Sequence, residues 1–116
     1  RATEHNSVPD TTAELDLSRV MQCMDTTDGV MALFRHLQRT AQDCGFGEIG
    51  CFQVGGLSDS GITVACGVPT VCGMGVRGEG NHTPDEYAEV ESLFQRSVLA
   101  ACAAYTLNDD FAKAAE

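Results

Sequence analysis

Between Asp28 and Cys44 the apolar residues Val30, Met31, Leu33, Phe34, Leu37, Ala41 and Cys44 return at intervals of three and four, with Arg35, Gln38, Arg39 and Gln42 on the other side. This spacing predicts an amphipathic helix with one buried face. Gly45 stands where a glycine closes such a helix. His36 falls on the polar side and reads as a solvated histidine.

Other periods surround it. Ala13, Leu15 and Leu17 alternate with Glu14, Asp16 and Ser18 after a turn at Val8-Pro9-Asp10, which predicts a half-buried, antiparallel strand from about Thr11 to Val20. Met21 to Thr27 has no clear period and reads as a junction. Ile49 to Val54 is a short apolar run that predicts a strand. Ser58 or Asp59 can cap a helix reaching about Cys66, where Gly67 ends it and Pro69 forbids its continuation. Thr70, Val71, Cys72 and Met74 predict a further strand. Ser92 and Gln95 form a capping-box pattern, and the helix it starts carries Leu93, Phe94, Val98, Ala101, Cys102 and Tyr105 on one side to about Leu107. Alternating strands and helices imply crossovers, hence an α/β fold with a mixed, mostly parallel sheet and packed helices. Ligands of such sheets bind at the carboxyl ends of the strands, where the glycine-rich loops 55–60 and 73–84 would face one crevice.

The segment Gly73 to Glu91 has the composition of an active-site loop. It holds Gly73, Gly75, Gly78 and Gly80, then His82, then Asp85, Glu86, Glu89 and Glu91. Carboxylates near an imidazole can raise its proton affinity or orient it. A surface loop with an incidental histidine is the plainer reading of the loop alone.

Composition narrows the function classes. One hundred and sixteen residues allow at most one domain. Seven basic residues against 17 acidic ones, a net charge of -10, argue against nucleic acid and anionic membrane surfaces as partners. No apolar run is long enough to span a bilayer. Arg1 is not followed by a charged region and an apolar run, so no targeting peptide is visible, and a cytoplasmic location is expected. Six cysteines permit three disulfides, but no C-x-x-C spacing occurs, and Cys66, Cys72 and Cys102 lie in apolar stretches that suit reduced core residues.

Gly55-Gly56-Leu57-Ser58-Asp59, Gly67-Val68-Pro69-Thr70 and Gly78-Glu79-Gly80-Asn81-His82-Thr83-Pro84-Asp85-Glu86-Tyr87-Ala88-Glu89-Val90 together resemble the carboxyl-terminal part of the zinc aminoacylase/carboxypeptidase family. Glutamate carboxypeptidase, acetylornithine deacetylase and succinyl-diaminopimelate desuccinylase belong to that family. Asn6-Ser7-Val8-Pro9, with Arg19 thirteen residues after the asparagine, resembles a strand of the family's lid and dimerisation domain. The resemblance implies that residues 1–24 are a remnant of that lid and residues 25–116 a portion of the catalytic domain. It implies His82 as a terminal ligand of one ion in a paired zinc site. It implies Gly55, Gly56 and Ser58 as lining of a pocket for a small peptide or N-acyl amino acid, with Asn6 on the substrate carbonyl and Arg19 on its carboxylate. The complete enzyme would be a homodimer.

The family's catalytic half carries a His-x-Asp metal motif, a bridging aspartate and a Glu-Glu pair, and this chain has neither His-x-Asp nor Glu-Glu. The expected function is therefore a portion of a metal-dependent amidohydrolase or peptidase, completed by an amino-terminal catalytic segment or chain. A non-catalytic remnant that binds or assembles is the alternative, and an unrelated α/β domain the third reading. Uncovered apolar edges would make the isolated chain associate.

Overall fold

The structure is a computed structural model that describes residues 8–18 and 20–108. Its elements are α1 (Asp28–Asp43), α2 (Ser60–Ala65), β1 (Gly78–Glu79), β2 (Tyr87–Ala88) and α3 (Val90–Thr106).

α1 follows its apolar period closely. The Thr27 hydroxyl accepts from the Val30 amide at 3.2 Å, satisfying a donor that the first turn leaves open. At the other end Phe46 N donates to Ala41 O and Gly45 N to Gln42 O, with Gly45 at a φ of +74°. These paired bonds need a left-handed residue, which is why glycine occupies the position. α2 closes in the same way: Val68 N donates to Thr63 O and Gly67 N to Val64 O around Gly67 at +81°. α2 starts one to two residues later than Ser58 or Asp59, and the Ser58 hydroxyl accepts from the Ser60 amide at 3.2 Å.

The core is small and lies where α1 meets α3. Leu37, Ala41, Leu99 and Ala103 are buried together, and Phe46, Ile49, Val71 and Met74 pack around them. His36 corrects its sequence reading. It is partly buried and its Nε2 lies 2.9 Å from the Ala103 carbonyl, so the ring nitrogen donates to the end of α3.

α3 also differs from expectation. It begins at Val90, and no side chain of Glu89 caps it. Ser92 makes no capping box: it is 1% exposed, donates to Glu89 O at 2.6 Å and accepts from Arg77 N at 2.8 Å. The buried face is Ser92, Leu99 and Ala103, while Phe94 and Val98 are exposed and Tyr105 is 90% exposed. The Arg77–Ser92 and His36–Ala103 bonds fix the rotation of α3, and its other apolar side meets no covering element among the described residues.

The mixed, mostly parallel sheet is not formed. The described residues contain one two-stranded antiparallel sheet, with Gly78 opposite Ala88 and Glu79 opposite Tyr87. The described residues of the strands expected over Thr11–Val20, Ile49–Val54 and Thr70–Met74 form irregular or extended segments without ladder partners. Apolar alternation favours a strand only when a second strand and a covering layer are within reach. Here residues 46–49 and 71–74 instead lay apolar side chains across the α1–α3 pair. Gln38 Nε2 holds the first of these stretches through Ile49 O at 3.0 Å. The molecule is accordingly a mostly helical arrangement with one hairpin.

Much surface is left open. The accessible area is 9394 Å², against roughly 6,100 Å² for a compact protein of this mass. The Cα radius of gyration is 18.8 Å, where a compact domain of this length has about 13 Å. No helix among the described residues is long and apolar enough to cross a membrane.

Candidate functional site

His82 sits in the turn of the β1–β2 hairpin, and the turn is built by short-range bonds. Thr83 N and the Thr83 hydroxyl both donate to Gly80 O, at 3.0 and 2.6 Å, and Glu86 N donates to Thr83 O at 3.2 Å. β1 runs so close to β2 that a side chain at Gly78 would collide with the Tyr87 carbonyl. A glycine is required there for the strands to pair.

The hairpin is anchored to α3 at its base. Arg77 N donates to the buried Ser92 hydroxyl, Glu89 N to Arg77 O at 2.8 Å, and Arg77 Nε meets Glu89 Oε2 at 3.0 Å. The ion pair is half-exposed and contributes little by itself. The two backbone bonds of Arg77 are what tie the base of the hairpin to the helix.

At the tip, His82 has a φ of +65°. Residues other than glycine adopt this left-handed conformation infrequently, at a cost on the order of 1–3 kcal/mol that the surrounding structure has to offset. Its backbone amide donates to Glu86 Oε2 at 3.3 Å. Its exposed imidazole makes no hydrogen bond with a described residue. The nearby carboxylates do not orient the ring: Glu86 holds the backbone, Glu89 pairs with Arg77, and Glu91 lies in the first turn of α3.

The second loop is placed differently. Gly55 and Gly56 are exposed, with open space where side chains would project. Ser58 turns inward to its own loop and to the root of the hairpin segment: its hydroxyl is 3.0 Å from Ser60 Oγ and 3.3 Å from Cys72 Sγ. No hydrogen bond joins Gly55, Gly56 or Ser58 to His82. Ser58 thus meets Cys72, the residue before the second glycine-rich loop, and His82 makes no hydrogen bond to either. Asn6 and Arg19 lie outside the described residues.

Cys72 is a site feature that the sequence does not single out. It is exposed, contrary to its expected place in the core, and so is Cys66. Hydrogen bonds from Ser58 and then Ser60, with a smaller contribution from the Gly73 amide, hold its thiol below the usual cysteine range against a slight opposing effect of burial. Neither serine is near Cys72 in sequence, so only the folded chain reveals the grouping.

Two open cavities flank these elements. One of about 310 Å³ runs beside the hairpin, lined by Val76, Gly78, Asn81, Glu86, Tyr87 and Ala88. The other, about 330 Å³, lies on the polar side of α1 between Arg35, Arg39 and Glu48. Among the described residues no three His, Cys, Asp or Glu side chains converge as metal ligands. The exposed imidazole of His82 has donor chemistry that suits zinc, as one ligand of a set. Compared with known proteins, the chain matches no family model, no curated protein and no solved structure.

Proposed function

We propose that this chain is a portion of a zinc-dependent amidohydrolase or peptidase, inactive alone and completed by an amino-terminal catalytic segment or a second chain. The observation that carries the reading is His82, a left-handed residue at the tip of an anchored hairpin with its ring unengaged. Backbone strain at a non-glycine residue points toward a functional position. The proposal stands on this loop and on the resemblance of its motifs. The large open surface supports a partner that covers it.

In the completed site, paired zinc ions would supply an activated water and polarise the scissile amide carbonyl. His82 would bind one ion through a neutral imidazole, with its backbone fixed by Glu86. Exposed backbone amides at Gly55 and Gly56, with the Ser58 hydroxyl, would hold the carboxylate or developing oxyanion of a small peptide or N-acyl amino acid. Asn6 and Arg19 would complete substrate binding, in a cytoplasmic homodimer.

The test is zinc content and hydrolysis with and without the completing polypeptide. We expect about two zinc ions per complete unit, and loss of hydrolysis in His82→Ala with unchanged helical content. Equal hydrolysis by that variant would overturn the ligand role. A second reading, a non-catalytic binding or assembly module, rests on the large open surface. It predicts a complex that forms without zinc and survives chelation.

A further inference from the structure

We propose that the exposed side of α3 is a docking surface for a second copy of this chain, packed antiparallel through its own α3. Val90, Phe94, Ser97, Ala101 and Tyr105 follow one another at intervals of four and three, so they form one seam along the helix. All five are exposed, and the exposed Leu93 and Val98 widen the seam on either side. The seam lies opposite the buried Ser92, Leu99 and Ala103, of which the last two pack in the core with Leu37 and Ala41 of α1. α3 thus has two apolar sides, and α1 covers one of them. A solvated helix side ordinarily carries charged residues. The charged residues of α3 are Glu91 and Arg96, and neither stands in the seam.

Area, shape and charge together select a second copy as the occupant. The accessible surface of 9394 Å² exceeds that of a compact protein of this mass by about half. That excess is several times the roughly 800 Å² that each partner buries in a standard interface. The seam also matches itself. With a two-fold axis between Ser97 and Val98, Phe94 of one copy faces Ala101 of the other and Val90 faces Tyr105, so each ring meets a smaller side chain. Parallel packing would set Glu91 beside its counterpart and align the helix dipoles. Antiparallel packing opposes the dipoles and separates the two glutamates by about 20 Å, well beyond the screening length of about 8 Å. An uncharged seam is also where two chains of net charge -10 meet with least repulsion. The pairing requires neither zinc nor the completing polypeptide, so it stands apart from the proposed hydrolysis and gives the homodimer a contact surface.

Sedimentation equilibrium of the full 116-residue chain in a zinc-free, chelating buffer tests the pairing. The expected result is a concentration-dependent step from 12.3 kDa to twice that mass. Phe94→Glu should lower the association constant roughly a hundredfold, because it places an unpaired charge in the seam. Its helical circular dichroism should be unchanged, since Phe94 is exposed in the single chain. Val90→Lys and Tyr105→Glu should each weaken the dimer, and the double variant should restore it, because each lysine then faces a glutamate of the other copy. Parallel packing allows no such rescue. A monomer at every concentration, a dimer equally strong in Phe94→Glu, or a double variant no stronger than either single one would each overturn the proposal.

Discussion

The α1–α3 pair and the segment from Gly50 to Leu57 are both apolar in sequence, yet they fare differently in the fold. Leu99 on α3 is 1% exposed, whereas Phe52 is 86% exposed. A helix satisfies its own backbone hydrogen bonds, so burying one stripe is enough to stabilise it. An extended segment needs a neighbouring strand before its backbone is paired, and residues 50–57 have none. Apolar character thus becomes core only where the element can form first.

The comparison can be broken most forcefully at Leu99. Leu99→Ala should lower stability by about 2–4 kcal/mol, because it opens a cavity between the helices. Chemical denaturation followed by helical circular dichroism measures this, and an unchanged midpoint would mean that the α1–α3 core is not what holds the chain together.

A smaller effect should appear where Ser58 meets Cys72. Cys72 carries more thiolate at neutral pH than an ordinary thiol because its pKa is lowered, chiefly by Ser58. Alkylation by iodoacetamide near pH 7 should be faster at Cys72 than at the exposed Cys23. Ser58→Ala should slow it several-fold. Equal rates in the variant would show that the Ser58–Cys72 contact does not persist in solution.

The smallest effect on folding belongs to the open segment. Phe52→Ser should change stability by no more than about 0.5 kcal/mol, since the ring has little packing to lose. The same substitution should reduce concentration-dependent association in light scattering, because exposed apolar patches drive it. A large fall in stability would mean that Phe52 is covered in solution.

Local features were legible in the sequence. The Val30-to-Cys44 spacing gives the period of α1, and Gly45 and Gly67 mark the ends of α1 and α2 because their closing bonds need a left-handed residue a fixed number of positions later. The candidate site was legible to the level of His82 and its glycine-rich setting. Its left-handed backbone, the Arg77–Ser92 anchor and the Ser58–Cys72 contact were not. These bonds join residues separated by as many as fifteen positions, with no repeating pattern to announce them.

The sequence by itself determined the bounds of α1 and the ends of α2 and α3, the acidic character of the chain and the residue types gathered around His82. Only the tertiary structure decided that the apolar runs at 11–20, 49–54 and 70–74 stay without ladders, which face of α3 is buried, and that His36 joins the end of α3 instead of facing water. The physical reason is range. Helix period and capping act within a few residues, whereas strand pairing and the choice between two apolar helix faces depend on which distant segment arrives to cover them.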